Sequence, residues 1–568
     1  IGVRFRGKAS GGLAGFFLGG RRLPWYVAGV SMVATTFAAD TPLWVTEKIA
    51  QHGISGNWLW WNMLIGGLLT TFFFARLWRR AEIITELELL EIRYSGKLAK
   101  ILRGTRAVYL GLFMNVVVIG WVNAALISIL EVFFDLSYLQ AFWLCLGGMG
   151  LVAIYSSVAG LLGIAITDFV QFILAMTGSI VLAVVVLQVP EVGGISGLKA
   201  QLPAWRLDFF PRLGSGGEAL AGTFSLGAGA FFSYLTLQWW ASWYPGNEPG
   251  GGGYISQRMM SVRSEKDAVY ASLFFQIAHY ALRPWPWIIV ALAALVLYPE
   301  LPLEDSRKGF VLAMRDHLPV GLKGLLLVGF LSAYMSTIST QLNWGSSYLT
   351  NDLYRPFIAR QEKSPRQYVR VGRLITLLLM LLAAFSTAQI QMIDEAATFL
   401  IASGAGLGMV LILRWYWWRI NAWSELSATL APLLATAYFR TWGQQHWSAG
   451  FYAQNGDFIA IVLFTTATWL LVTFLTKPTD RATLQAFWQR IRPGGWWAPI
   501  RPAGEKARGG GHYRLISWLA AVLMVYAALF GLGYALLQES MPALFWGSAF
   551  ALGLVLLTWA MRREGKGD

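Results

Sequence analysis

The chain has 568 residues, of which 56% are hydrophobic and 13% are charged. Soluble domains carry about 25% charged residues, so this composition excludes a soluble globular protein. Apolar runs of about 20 residues, long enough to cross the hydrocarbon core of a bilayer, recur along the whole chain. The sequence therefore predicts an all-α integral membrane protein with one membrane domain.

The net charge of +15 and the single cysteine bear on which classes of function are possible. Lysine and arginine are spread over many loops instead of forming one stripe, which argues against nucleic-acid binding. Cys145 lies in an apolar run, so neither an intramolecular disulfide nor a cysteine-based metal cluster can form. Zinc-protease, nucleophile-elbow, Walker and deaminase motifs are not present in usable form. We therefore expect no enzymatic activity and no organic cofactor.

Fourteen transmembrane helices are predicted from the apolar runs. They cover residues 25–48, 57–76, 106–134, 137–158, 161–189, 218–245, 266–298, 320–350, 369–390, 392–418, 421–440, 451–476, 513–537 and 541–561. The segment from Pro245 to Gly253 (PGNEPGGGG) lacks the Lys-Ser/Thr ending of a phosphate-binding loop. It is predicted to be a turn between the sixth and seventh helices.

The distribution of basic residues predicts the orientation of these helices, because cytoplasmic loops accumulate lysine and arginine. If residues 1–24 are cytoplasmic, the loops on that side hold 35 Lys and Arg residues and the outer loops hold 8. A miscounted helix would invert every later loop and remove this asymmetry. We therefore expect a plasma-membrane protein, in the inner membrane if the source is a Gram-negative bacterium, with its short C-terminal tail in the cytoplasm.

Small and polar residues interrupt the first helix at Ala34-Thr35-Thr36-Phe37-Ala38-Ala39-Asp40-Thr41-Pro42. Because Pro42 has no N–H to donate, a break in this helix is expected. A helix that is broken inside the membrane frees carbonyl oxygens that can bind a cation. The alternative is a proline kink whose hydroxyl groups are satisfied locally.

Polar residues also cluster in the eighth helix, at Ser336-Thr337-Ile338-Ser339-Thr340 followed by Gln341 and Asn343. Adjacent hydroxyl groups supply the oxygen ligands that sodium prefers, although such groups can also bond to carbonyls of their own helix. Asp168 is placed near the cytoplasmic start of the fifth helix. It is either a solvated terminal charge or an ion ligand on the inward path.

The combination of these segments resembles the sodium:solute symporter family between Phe16 and about Trp418. Phe16-Phe17-Leu18-Gly19-Gly20-Arg21-Arg22-Leu23-Pro24-Trp25 is similar to the entry of the family's first core helix. The stretch from Ser336 to Tyr354 (STISTQLNWGSSYLTNDLY) is similar to its eighth, and Gln257-Arg258 also fits.

The resemblance implies the LeuT-type fold, in which two five-helix repeats of opposite orientation surround a central site. An extra helix normally precedes the first repeat, and Ile1 to Lys8 is similar to its cytoplasmic end, so a fifteenth helix is expected to be missing. The predicted divisions are an entry segment, the ten-helix core, two further helices, a basic cytoplasmic loop that anionic lipid can contact, and two C-terminal helices with the tail. Their residues are 1–24, 25–418, 419–476, 477–512 and 513–568.

The resemblance also implies the ion sites. The family's common sodium site corresponds here to the carbonyls of Ala34, Phe37 and Ala333 and the hydroxyls of Ser336 and Thr337. A second sodium site, which some members have, would use Asp168 with Ser336, Ser339 and Thr340. One or two sodium ions per cycle are therefore expected.

The solute pocket departs from that of the family's sugar transporters, because Trp60, Met63 and Trp239 stand where those carry sugar-reading or gate residues. We expect the pocket or its gates to include Asp40, which borders the break, the aromatic pair Trp239 and Trp240, and His279 and Arg283, which lie deep in the seventh helix.

The sequence thus predicts a symporter that uses a sodium gradient to import a small organic solute by alternating access. The alternatives are a proton-coupled transporter with Asp40 or Asp168 as proton carrier, and a non-transporting sensor or structural subunit. The expected partners are the solute and the lipid bilayer. The sequence does not predict the oligomeric state.

Overall fold

The computed structural model describes residues 13–214, 226–243, 246, 248–359, 361–389, 393–505 and 510–564, without the side chains of 155, 157–160 and 393–397. The predicted end of a further N-terminal helix, Ile1 to Lys8, lies outside these residues. Helices dominate the described chain. Two short parallel strands, β1 (Leu213–Gly214) and β2 (Leu226–Gly227), pair beside the sixth helix.

The helices are numbered here in chain order. In the first half they are α1 Leu13–Leu18, α2 Trp25–Thr35, α3 Asp40–His52, α4 Ile54–Ala81, α5 Glu88–Arg93, α6 Gly96–Phe134, α7 Tyr138–Gln188, α8 Gly194–Gln201 and α9 228–241. In the second half they are α10 Gly253–Ser261, α11 Glu265–Leu297, α12 Lys308–His317, α13 Val320–Ile358, α14 Pro365–Thr387, α15 Ile393–Ser403, α16 Leu407–Tyr416, α17 Ala422–Tyr438, α18 Gly456–Leu475, α19 Arg481–Ile491, α20 Gly511–Leu536 and α21 Ser540–Glu564.

Nine helices of the described chain are long and apolar enough to cross a membrane, namely α4, α6, the second arm of α7, α11, α13, α14, α18, α20 and α21. The other five predicted crossings are short or interrupted. The first is broken into α2 and α3, the sixth into α9 and α10, and the tenth into α15 and α16. The count of fourteen therefore stays a prediction.

Helix α7 covers two of the predicted helices in one run of 51 residues. Sγ of Cys145 lies 3.7 Å from the hydroxyl oxygen of Tyr334, and Asp168 accepts a hydrogen bond from Ser336, only two residues further along α13. A straight helix would separate residues 145 and 168 by about 34 Å, which these side chains cannot bridge. Helix α7 therefore bends, and both of its arms contact the same part of α13.

The predicted break in the first helix is confirmed. Helix α2 ends at Thr35, residues 36–39 are not helical, and α3 begins at Asp40. Pro42 lies in the first turn of α3, where its missing N–H leaves no hydrogen bond unmade. The chain thus uses the proline to begin the second half of the crossing.

The sixth helix is broken as well, which the sequence analysis missed. Regular helix stops at Ala241 and resumes at Gly253, so the expectation of one helix over 218–245 followed by a turn is wrong where the chain is described. Gly250, Gly251 and Gly253 have φ angles of +75°, +80° and +55°, a region that favours glycine. A methyl group on Gly251 would lie 2.7 Å from Nε1 of Trp78. The glycines therefore allow an irregular backbone to pass against α4.

The basic segment 477–505 is docked on the helices instead of lying free at the surface. Helix α19 within it buries Leu484, Phe487, Trp488 and Ile491, and the guanidinium group of Arg93 lies over the rings of Phe487 and Trp497, 5.4 and 4.9 Å from their centroids. Lipid contact alone, as expected from the charge, does not explain these apolar residues. They hold the segment against α5.

The docking of α19 predicts that truncating two tryptophans of the same segment will destabilise the protein to different extents. The Trp488 side chain is 1% exposed and that of Trp496 is 64% exposed. Trp488→Ala should destabilise the protein by about 3–5 kcal/mol, the usual cost of truncating a buried aromatic residue, and Trp496→Ala by much less. Melting of the purified variants in detergent measures the difference. Equal melting temperatures for the two variants would contradict the docked arrangement.

Candidate functional site

The polar face of α13 meets the break in the first helix at the centre of the molecule. Thr337 donates its hydroxyl to the carbonyl oxygen of Thr35 at 2.9 Å, and the amide of Phe37 donates to the carbonyl of Ala34 at 3.1 Å. Ala333, one turn earlier on α13, is buried. The elements that carry the five residues of the first predicted sodium site are therefore adjacent.

Asp168 lies inside this region and is not a solvated helix end, because its side chain is completely buried. It accepts hydrogen bonds from Ser336 at 2.5 Å and from Ser31 on α2 at 2.6 Å. The carboxylate on α7 thus connects the first and eighth helices through two hydroxyl groups.

Arg258 is the counter-charge of Asp168, at a distance of 3.9 Å between Nη2 and Oδ2. It also donates to the hydroxyls of Thr340, at 3.0 Å, and of Thr35, at 3.3 Å. Ser339 donates to the carbonyl of Ser336 in its own helix. Two of the four residues of the second predicted sodium site are therefore engaged by a guanidinium group, and a third bonds to its own helix.

A central cavity of about 70 Å³ opens beside the break. Of the predicted pocket residues, Asp40, Trp60, Met63, His279 and Arg283 line it. The lining also includes Trp44, Trp121, Tyr254, Tyr280 and Gln341. The cavity thus combines one acid and one base with a wall of aromatic rings.

The acid and the base of the cavity have different surroundings. Oδ2 of Asp40 accepts a hydrogen bond from the indole of Trp121 at 2.5 Å, whereas Oδ1 is buried and accepts none from the described residues. Arg283 donates to the carbonyl of Val33 and to the hydroxyl of Thr36, both at 3.1 Å. That hydroxyl also lies 3.0 Å from Nδ1 of His279. Arg283 and His279 therefore hold the break, while Asp40 keeps an oxygen available.

The predicted aromatic pair Trp239 and Trp240 lies away from the described lining of the cavity. The ring of Trp239 is 6.0 Å from that of Trp518, and Trp240 packs on the apolar cluster around Phe439. The two residues precede the break in the sixth helix, and their indoles bond to carbonyls of the preceding turn. Neither residue is therefore among those that line the cavity, and their assignment to a gate stays a prediction.

Sequence reasoning missed Trp121 and the role of Arg258. Trp121 lies in the middle of an apolar run, where nothing local separates a pocket residue from a packing residue. Gln257-Arg258 was noted only as part of a resemblance. Arg258 lies between two predicted helices, where the local sequence does not distinguish a buried arginine from a solvated one.

Comparison with known proteins places these features in a family. The model of the "Sodium:solute symporter family" matches residues 16–431. The osmoregulated proline transporter OpuE of Bacillus subtilis is 23% identical over 496 residues, which cover 83% of this chain and 91% of that protein. The sodium/proline symporter of Salmonella typhimurium is 24% identical over 451 residues, covering 75% and 82%.

The fold comparison agrees. A sodium-coupled sialic acid symporter, solved in a substrate-bound outward-open state, superimposes with a TM-score of 0.62 at 18% sequence identity. The alignment covers 84% of this chain and 95% of that structure. Its likeness and the family match together confirm the predicted resemblance and the prediction of a transporter instead of an enzyme. The chain belongs to the sodium:solute symporter family.

Proposed function

We propose that this protein is a sodium-coupled symporter that imports a small zwitterionic solute by alternating access. The observation that carries the proposal is the junction of the first-helix break with the hydroxyl face of α13, directly beside a cavity lined by Asp40 and Arg283. An ion bound at the junction touches elements that also form the solute cavity. Binding of the two can therefore be coupled, typically by 1–3 kcal/mol.

The first predicted ligand set fits sodium. Ala34, Phe37 and Ala333 supply carbonyl oxygens, and Ser336 and Thr337 supply hydroxyl oxygens whose hydrogens already point to Asp168 and to the carbonyl of Thr35. A hydroxyl that donates in this way keeps its lone pairs for a cation. Five neutral oxygens at a helix break are the kind of site that membrane transporters use for sodium.

A second sodium ion at Asp168, Ser339 and Thr340 would meet the guanidinium group of Arg258, 3.9 Å from the carboxylate. Two cations beside one carboxylate repel each other strongly in a low-dielectric interior. We therefore propose one sodium ion per cycle for the arrangement seen here. A second ion requires Arg258 to withdraw.

The cavity favours a solute with a positive group and an apolar body. Oδ1 of Asp40 is buried without a hydrogen bond from the described residues, and such a group gains by accepting one from an ammonium or iminium donor. The aromatic wall adds cation–π attraction of about 0.5–2 kcal/mol. Arg283, which also lines the cavity, can receive a carboxylate. Proline, named in several relatives, has this chemistry.

The breaks in the first and sixth helices support the inverted repeat implied by the family. Helices 1–5 and 6–10 of the predicted topology would each begin with a discontinuous helix, and sites form where two such helices meet. In our proposal sodium holds the outward-open form and readies the pocket, and its release to the cytoplasm lets the solute leave. The protein would lie in the plasma membrane with its C-terminal tail inside.

Sodium should stabilise the purified protein and potassium should not. Ser336→Ala and Thr337→Ala each delete one ligand oxygen, so we expect the sodium concentration needed for half of the melting shift to rise severalfold. Thr376→Ala is the matched control, since its buried hydroxyl on α14 bonds to its own helix at Gly372. Equal shifts in sodium and potassium for the wild type would rule out the site.

Asp168→Asn should reduce sodium-dependent uptake of labelled proline by proteoliposomes more than it reduces folding. The variant leaves Arg258 buried without its counter-charge, which by itself costs about 3–5 kcal/mol. The double variant Asp168→Asn/Arg258→Gln should recover the melting temperature but not the sodium dependence. Full recovery of sodium-dependent uptake in the double variant would show that Asp168 is only a counter-charge.

The solute class can be tested by melting in sodium buffer with a panel of amines, betaines, amino acids, sugars and monocarboxylates. We expect zwitterions to give the largest shifts, and Asp40→Asn to lower their affinity at least tenfold, because a charge-assisted hydrogen bond is lost. A response to sugars alone, unchanged in Asp40→Asn, would mean that Asp40 and Arg283 neutralise each other and that the pocket is effectively neutral.

A further inference from the structure

A pair of carboxyl groups lies at the break of the sixth helix, separate from the proposed sodium ligands. A methyl group on Gly252 would lie 2.7 Å from Oε2 of Glu86 and 3.1 Å from Cβ of Glu248, so the two acids flank the same glycine. Both side chains are buried, with 4% and 3% of their surface exposed. The transport mechanism proposed above uses neither.

The two acids differ in the hydrogen bonds and positive charges that surround them. Glu86 accepts a hydrogen bond from the amide of Gly253 and lies within electrostatic range of Arg106 and Arg414. Oε1 of Glu248 accepts a hydrogen bond from the amide of Gly246 at 3.3 Å. Its Oε2 is buried and has no partner among the described residues.

The basic residues near the pair interact with other acids. Arg106 and Arg414 lie 3.7 and 3.5 Å from Glu425, and Glu86 is within electrostatic range of the same two guanidinium groups. Arg93 also interacts with Glu425. In the described chain no lysine or arginine forms an ion pair with Glu248, and the charge it feels most is that of Glu86.

Two aromatic side chains of α13 that carry polar groups also lie beside the pair. The indole of Trp344 is buried, its Nε1 has no acceptor among the described residues, and its ring lies 3.5 Å from the Cβ position of Gly253. The same position is 2.5 Å from Oε1 of Glu248. Tyr348, one turn further along α13, also lies near both acids.

We propose that Glu248 is a proton-binding site whose carboxyl group carries one proton while the sixth-helix break is closed and releases it when water enters the break. The proton comes from water and binds Oε2, which removes the excess negative charge that burial makes costly. Glu86, by contrast, accepts the amide of Gly253 and lies within electrostatic range of two arginines. Gly246, which donates to Glu248, also lines the solute cavity, so proton release is linked to opening of the cavity toward the cytoplasm.

The first test needs no sodium and no solute. A buried carboxyl group that stays protonated favours the folded state below the ordinary titration range of glutamate, and this contribution is lost as the pH rises. Glu248→Gln imitates the protonated form. Its stability relative to wild type should therefore increase between about pH 5 and pH 9, by up to tenfold in the unfolding constant per pH unit.

Glu191→Gln is the control for this test, because Glu191 is exposed, and it should follow the wild type at every pH. Melting in detergent across the pH series measures all three proteins. A constant difference between Glu248→Gln and wild type at every pH would overturn the proposal, because it would mean that the wild-type carboxyl group does not hold a proton.

The second test asks whether the proton responds to the transport cycle, and it rests on the proposed sodium site. Sodium chloride added to weakly buffered protein should close the inner side and cause proton uptake, up to one per chain, read with a pH-indicator dye. Glu248→Gln should take up none, and potassium should have no effect. A sodium melting shift without proton uptake would overturn the link between this proton and transport, whereas the loss of the melting shift itself would overturn the sodium site.

Discussion

A backbone that leaves helical geometry inside a bilayer must find its hydrogen-bond partners within the protein, because lipid offers none. The breaks of the first and sixth helices meet that requirement with side chains from other helices. Thr337 donates to the carbonyl of Thr35, Arg283 to that of Val33, and the indole of Trp78 to that of Gly250. The polar centre of the molecule follows from this need, since each donor must reach a break from a neighbouring helix.

Charge balance is the second consequence of the same low-dielectric interior. Asp168 and Arg258 are both fully buried, and breaking such a pair costs about 3–5 kcal/mol. The charges of this pair already cancel each other, so a sodium ion is best accommodated at neutral oxygens next to the pair. The same reasoning distinguishes Asp168 from Glu248. Asp168 has a guanidinium partner, whereas Oε2 of Glu248 has no partner among the described residues.

One end of the helix bundle joins parts of the chain that are far apart in sequence. Arg80 forms an ion pair with Glu265 at 2.6 Å and donates to the carbonyl of Ile491 at the end of α19. Glu564, at the end of α21, forms ion pairs with both Arg76 and Arg514. The end of α4 is thereby tied to the seventh helix, the docked segment and the C-terminal helix. Movement of the helices at this end must break these contacts or carry the joined segments along.

The sequence by itself determined the membrane class, the family and the position of the first break, because apolar length, motif residues and a proline act locally. It also marked Ser336, Thr337 and Asp168, since polar groups in apolar helices are costly unless they have a use. Only the tertiary structure decided what those groups contact. The break of the sixth helix depends on glycines whose φ angles are set by packing against α4. The partner of Asp168 lies 90 residues away in the chain. The distance of Trp239 and Trp240 from the cavity depends on the orientation of α9. Burial and pairing are properties of the whole fold, and no local pattern encodes them.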